Sequence, residues 1–353
     1  MTTPDQSTQS RPIGVGIIGM GFMGQTHRRA FNAARSAGHP CRVVALADRD
    51  ERRRAGIEDT AGNLDAPPPG LRTVEDPDNP LRGYETHEEL LADPAVDAVC
   101  ICTPTDTHAR LAIAALNAGK HVLVEKPVAL EEPTILEVEH AAVRSGRVCV
   151  PAMCMRFWPG WDWLIRAVRE RPYGRVISAS FSRIGSRPTW SPDFYLDPGR
   201  SGGALFDLHI HDVDFIHHLF GSPRSVFASG NEFGVTTVYD YPAGPDDPVR
   251  VTATGAWLTS PGFPFHMRYL VEFERATADF DIARSPALRI SCVDEQNAVE
   301  IPPGDGYAPQ AGAFIDAITG LRRHDVTLTQ AAQVTRTITA ERASMKTRRI
   351  VTL

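Results

Sequence analysis

The stretch "IGVGIIGMGFMGQTH", residues 13–27, restricts this chain more than any other. A run of β-branched and small apolar residues ends on Gly19, and Gly21 and Gly24 follow before a helix-forming segment. A buried strand turning sharply into a helix fits that order. The first glycine makes the tight turn, the second lets a ligand approach the backbone, and the third lets helix and strand pack closely. Free N–H groups and the positive dipole end of the helix then hold phosphates. The unit predicts a dinucleotide cradle lined by Gly19, Gly21, Phe22, Met23 and Gly24.

The pattern continues. A helix reads over residues 25–38, closed by Gly38. A second buried strand, "CRVVALADRD", reaches Asp48 at the distance expected of a ribose-binding acid. A carboxylate there accepts the ribose hydroxyls and repels a 2′-phosphate, which favours NAD. The neighbouring Arg49 keeps NADP open. Strand and helix segments alternate to about residue 155, predicting right-handed crossovers and a parallel sheet covered on both faces. Residues 59–83, rich in proline, read as an irregular insertion, and polar residues 1–10 as disordered.

Past residue 156 the grammar changes. A helix at 158–171, a strand and a helix at 203–220 precede six strand-like segments: 224–233, 235–241, 249–259, 267–274, 277–283 and 287–293. Helices at 309–320 and 329–344 close the chain. The prediction is an α/β protein with an N-terminal Rossmann domain, residues 11–155. A C-terminal α+β domain, residues 156–353, is built on a large, mainly antiparallel open sheet. A length of 353 residues is consistent with two cores.

A net charge of −6 argues against a broad grip on nucleic acid or acidic lipid. No apolar run is long enough to span a bilayer, and no signal-peptide core opens the chain. The six cysteines read as small buried hydrophobes of a reducing, cytoplasmic compartment. Cys100 and Cys102 point to one face of a strand. A zinc site would want a second ligand cluster, and none follows them in sequence, so no metal is expected.

The chain has three lysines, Lys120, Lys126 and Lys346, against a background of arginine. Lys126 stands at a strand's C-terminal end in "HVLVEKP", the edge where open α/β sheets bind ligands, and its bond to Pro127 can be cis. Unlike arginine, lysine can have its pKa lowered by burial and so exchange a proton. In "GGALFDLHIHDVDFIHHLFG", residues 202–221, a helical period puts Asp207 and His211 at i and i+4 on one face. An acid there would set the imidazole's tautomer and raise its pKa. Such a pair can take an alcohol proton as hydride leaves the same carbon. His211, Asp214 and His218 also share a stripe that could bind a divalent ion, although a hydride-transfer site with lysine and histidine needs none.

Together, "GIIGMGFMGQTH", "ADRD", "CTPTDTH", "AGKHVLVEKP" and "SGGALFDLHIHDVD" resemble the family of glucose–fructose oxidoreductase, inositol 2-dehydrogenase and rhizopine-catabolism oxidoreductases (Gfo/Idh/MocA). The resemblance runs from residue 13 essentially to the end. It implies that Lys126, Asp207 and His211 are catalytic, with His211 the acid–base group and Lys126 assisting. It implies that Thr103, Pro104, Thr105, His108, Glu125, Lys126 and Arg156 lie near the cofactor. It further implies that Met155, Arg183 and Trp190 touch substrate, with Lys126, Asp207 and His211. His209 departs from many members and could be another substrate contact. The implied activity is NAD(P)-dependent hydride transfer at a secondary alcohol of a sugar, sugar derivative or cyclitol. A homodimer or homotetramer through the C-terminal sheet is implied as well. Two rivals share the scaffold: a glycoside-cleaving or epimerising enzyme with transient oxidation, and a non-catalytic NAD(P)-binding regulator.

Overall fold

The computed structural model describes residues 11–57 and 81–353. The disordered segment expected at 1–10 and most of the proline-rich insertion lie outside them. The end of that insertion does not: residues 82–84 form a strand.

Six parallel strands make the first sheet: β1 (Ile13–Ile18), β2 (Cys41–Ala47), β3 (Arg82–Tyr84), β4 (Ala98–Ile101), β5 (His121–Val124) and β6 (Cys149–Pro151). Their order is β3-β2-β1-β4-β5-β6, the doubly wound arrangement whose strand order reverses beside β1. The helices between them are α1 (Phe22–Ser36), α2 (Glu51–Arg54), α3 (His87–Ala92), α4 (Thr105–Asn117) and α5 (Glu132–Ser145). The glycine spacing works as the sequence suggests. Gly19 has φ +88°, and a Cβ on Gly24 would stand 2.0 Å from the Gly19 carbonyl oxygen. Helix α1 can therefore pack on its strand only with glycine there.

A 3₁₀ turn (Cys154–Phe157) and α6 (Trp161–Glu170) lead into the second domain. Strand β7 (Val176–Ser186) is followed by the short helices α7 (Pro192–Tyr195), α8 (Pro198–Ser201) and α9 (Gly203–Asp207), then α10 (Ile210–Phe220). The strands β8 (Ser225–Asn231), β9 (Gly234–Asp240), β10 (Arg250–Leu258), β11 (His266–Phe273), β12 (Thr277–Asp281), β13 (Leu288–Ser291) and β14 (Gln296–Val299) then build the sheet. Helices α11 (Tyr307–Thr319) and α12 (Leu328–Thr347) precede β15 (Val351–Thr352). The nine-stranded order is β14-β13-β12-β11-β7-β10-β9-β8-β15, antiparallel except for β7 and β10. Strands β14 and β15 are additions to the sequence reading. Both are short, and β14 lacks the buried alternation that marks the others.

One face of this sheet is buried around Trp161, which is fully enclosed by Phe181, Phe215, Tyr269 and Phe280. The other face is open. Phe227, Val238, Thr252, Ser180 and Leu270 are successive cross-strand partners in one row across it, and Phe227, Val238 and Leu270 are 43%, 45% and 52% exposed. The two closing helices return to the dinucleotide half. Phe314 of α11 meets Phe31 of α1, and His39 pairs with Asp316 at 2.8 Å. Arg336 of α12 pairs with Glu132 of α5.

One expected element is broken. Residues 203–220 do not form one helix: Leu208 and His209 interrupt it. The Ala204 carbonyl accepts both the Leu208 N–H (3.0 Å) and the His209 N–H (2.8 Å), so the turn widens. Such widened turns inside helices are frequent at functional sites.

Candidate active site

The carboxyl edge of the first sheet gathers the predicted cofactor residues. Asp48 accepts the Met20 N–H at 2.7 Å and the Asp50 N–H at 2.9 Å, which ties the end of β2 to the glycine turn. A Cβ on Gly21 would meet nothing within 4 Å, so the space over the turn is open. The first-turn amides of α1 have no intrahelical acceptor. Open space, free amides and an acid at the β2 end fit a dinucleotide. Arg49 is exposed, Pro104 is exposed, and Thr105 is buried at the start of α4. Phe22 touches the ring of Trp190 (centroids 6.4 Å apart), and Met23 packs against the core.

Removing the Asp48 carboxylate should separate the two cofactors. Asp48→Ala is expected to weaken NAD by about 10- to 100-fold, the worth of one charge-assisted hydrogen bond of about 1.5–3 kcal/mol. NADP, relieved of the repulsion and left with Arg49, should lose less. Fluorescence titration with both dinucleotides decides it, and an equal loss for the two would rule out the assigned role.

His108 departs from its expected place. It is buried, with its ring between the carbonyl oxygens of Thr103 (2.6 Å) and Pro127 (2.8 Å). It braces the β4 and β5 edges against one another and has no ring nitrogen left for a ligand. Glu125 is also buried. Its carboxylate accepts a bond from His27 Nε2 at 2.6 Å and from the Lys126 N–H at 3.0 Å. Burial pushes its pKa up, but His27 and Lys126 outweigh that, and the carboxyl is held below its ordinary range. Behind it, the His27 imidazole is lowered by burial and raised more by Cys100 and Glu125, reaching about 10.

The Lys126–Pro127 bond is cis. From this turn Lys126 crosses to the second domain. Its Nζ donates to the Asp207 main-chain oxygen at 2.7 Å and to Asp207 Oδ1 at 3.0 Å. The helix break explains the first bond. In a continuous helix the Asp207 carbonyl would accept the His211 N–H, but that N–H turns to the Leu208 oxygen at 3.4 Å. The freed carbonyl is where the ammonium sits. Burial lowers the Lys126 pKa, yet Asp207 and Glu125 outweigh it and the pKa is raised. The expectation of a lysine lowered by burial is therefore corrected: the opposing carboxylates win, and Lys126 is a fixed cation.

The expected Asp207–His211 couple is also corrected. No hydrogen bond joins the two residues, because the break turns Asp207 toward Lys126. His211 Nδ1 is buried with no partner among the described residues, leaving Nε2 as the nitrogen a ligand can reach. Burial, then the charges of Lys126 and Arg183, hold its pKa well below the ordinary histidine value. His211 is thus a neutral imidazole beside a permanent ammonium. That division suits one group to accept a proton and the other to steady the oxygen that loses it.

Three other predicted contacts are committed elsewhere. Arg183 is 2% exposed and forks onto Asp212 at 2.9 and 3.1 Å, with its guanidinium 5.2 Å from the Trp161 ring. Arg156 is buried against Asp214 (2.5 and 2.9 Å), with bonds to Gln330 and the Asp325 carbonyl. Both arginines neutralise acids of α10 and do not face the cleft. Asp214 is thereby removed from the divalent-ion stripe. His209 is fully buried, with Nε2 3.2 Å from the Tyr239 hydroxyl and 3.3 Å from Glu341, out of a substrate's reach. Met155 is buried in the 3₁₀ turn.

Sequence reasoning missed Tyr195. Its ring lies between Trp190 and Trp257, at 5.6 Å from each. Burial, then the Asp207 charge, raises its hydroxyl. Its segment, "SPDFYLDPGR", carried only a loop signal. The same segment reaches the first domain through Arg200, which pairs with Asp106 at 2.8 Å.

Comparison with known proteins gives consistent matches. A model of the oxidoreductase family with NAD-binding Rossmann fold matches residues 13–153, and one of the GFO/IDH/MocA C-terminal domain matches residues 162–285. Inositol 2-dehydrogenase of Rhizobium meliloti (strain 1021) is 30% identical over 301 residues, 83% of this chain and 79% of that one. Inositol 2-dehydrogenase 2 of Saccharopolyspora erythraea is 33% identical over 211 residues, 59% of this chain and 54% of its own length. Several curated relatives are matched over about half their length, at 55%, 44%, 54% and 58%. Among solved structures, the aldose–aldose oxidoreductase from Caulobacter crescentus superposes with a TM-score of 0.78 at 21% identity, covering 97% of this chain and 100% of that one.

Proposed function

Since the chain belongs to the Gfo/Idh/MocA oxidoreductase family, we propose that it is an NAD(P)-dependent dehydrogenase of a sugar, sugar derivative or cyclitol, acting at a secondary alcohol carbon. The observation that carries this reading is the meeting of Lys126, from the nucleotide-binding half, with Asp207, four residues before the neutral His211. Bound over Gly19, Gly21 and Asp48, the dinucleotide would supply a carbon that accepts or returns hydride.

The chain's own part is proton handling. In the oxidative direction, the Lys126 ammonium donates a hydrogen bond to the substrate oxygen and stabilises the negative charge that grows there. His211 Nε2 takes the hydroxyl proton. Asp207 holds the ammonium in place and keeps it charged. Glu125, locked by His27, supports Lys126 from below through its main-chain N–H. The buried Arg183–Asp212 and Arg156–Asp214 pairs fix α10, and so the position of His211. Trp190 and Tyr195 supply aromatic surface of the kind that packs against a sugar ring. The exposed row from Phe227 to Leu270 on the open sheet suits a second copy of the chain, and no helix among the described residues is long and apolar enough to cross a membrane.

The test is reduced-nicotinamide absorbance with NAD and NADP across a panel of cyclitols, aldoses and sugar acids. At least one should reduce the cofactor in a steady, substrate-dependent way. Chemical conversion without net absorbance change would point instead to transient oxidation. Tight dinucleotide binding with no turnover on the whole panel would leave the regulator reading.

A further inference from the structure

Beneath the cofactor edge lies a cluster whose two thiols the proposed reaction does not use. His27 of α1, Cys100 at the end of β4 and Cys102 just beyond it bring one imidazole nitrogen and two sulfurs within 4.8 Å of one another. The two sulfurs are 3.5 Å apart. His27 and Cys100 are fully buried, and Cys102 is partly exposed. A Cβ on Gly19 would stand 2.9 Å from the Cys102 main chain, so the cluster lies directly under that turn.

Zinc bonds of about 2.3 Å to sulfur and about 2.0 Å to imidazole nitrogen separate tetrahedral ligands by roughly 3.3–3.8 Å. The sulfur pair already has that spacing, and the imidazole needs an adjustment of about an ångström to reach it. The imidazole is arranged as a ligand would be. Its Nε2 donates to Glu125 at 2.6 Å, while the buried Nδ1 is on the side of the Cys100 sulfur, and a metal bound there would displace the proton that Nδ1 shares with that sulfur. A carboxylate that fixes one ring nitrogen and orients the other is the usual outer support of a metal-bound histidine.

We propose that His27, Cys100 and Cys102 form a binding site for a soft divalent cation of the zinc class, with a fourth position opening on the Cys102 side. Two thiols alone did not suggest this in sequence, because the third ligand comes from a helix more than seventy residues earlier. The site is independent of the dehydrogenase reading, and its test measures no turnover.

The experiment uses the full chain carrying Cys292→Ser, which removes an exposed thiol, reduced and kept from oxygen. Cobalt(II) titration should give one equivalent with thiolate-to-cobalt charge-transfer absorption, displaced by zinc(II). Cys100→Ala and Cys102→Ala should each abolish the band, and Glu125→Gln should weaken binding about 10- to 100-fold. No band in the parent, or an unchanged band in the double cysteine variant, would overturn the site. If the variants fail to fold, alkylation of the parent decides. Zinc at about 100 times its Kd should slow modification of Cys102 about 100-fold, reversibly on chelation. Unchanged labelling of Cys102 would equally rule the site out.

Discussion

Lys126→Ala is expected to cut turnover by about 100- to 10,000-fold while leaving NAD affinity nearly unchanged. The reason lies in where the ammonium is anchored. Both of its hydrogen bonds go to Asp207 in the second domain, and none goes to the groups that would grip a dinucleotide phosphate or ribose. Its charge is needed only when the substrate oxygen loses its proton, so the loss should fall on kcat. Asp207 keeps 23% of its side chain exposed, and water can solvate the carboxylate once the lysine is gone. Lys126→Arg would keep the charge and still fail, because a planar fork cannot occupy the corner between the Asp207 carbonyl and its carboxylate. Steady-state kinetics and fluorescence titration of NAD together make the test. A parallel fall in kcat and NAD affinity would show that Lys126 serves the cofactor instead.

The second large effect concerns His211. His211→Gln should also slow oxidation by about 100- to 10,000-fold, and it should change the shape of the pH profile. Oxidation needs the unprotonated ring. Because burial, Lys126 and Arg183 hold the imidazole pKa well below 6.5, the parent enzyme stays unprotonated through neutrality. Its kcat/KM should fall only as pH drops below the ordinary histidine range. Glutamine cannot titrate, so that acid limb should vanish. In Lys126→Ala the limb should instead move upward, since one of the charges that depress the ring is gone. A limb that persists unchanged in His211→Gln would assign the titration to another group.

The frame of the protein was legible because its signals are local. The glycine spacing, the alternation of strand and helix, and the change of period after residue 156 are each written within a few turns of chain. The positions of Lys126, Asp207 and His211 were legible too, but not their electrostatics. The apolar period runs straight through Leu208 and His209, and nothing nearby announces a break. At the widened turn His209 is buried against Tyr239 and Glu341, partners that lie far along the chain. Without the break, Asp207 would have pointed at His211, and Lys126 would have lost its seat. Arg156 and Arg183 belong instead to Asp214 and Asp212, partners that lie 58 and 29 residues away in the chain. The two acids of "HDVD" carry the signal: buried carboxylates on a helix face require cations, and these two arginines supply them.

The same break bears on how this protein could be engineered. Residues 208 and 209 look like a flaw that better helix formers would mend, and a design program seeking heat tolerance would be drawn to them. Repairing the spiral would return the Asp207 oxygen to its own backbone and evict the lysine that rests on it. Ruggedness and chemistry compete at that spot, and hardening is better sought on the far side of the molecule.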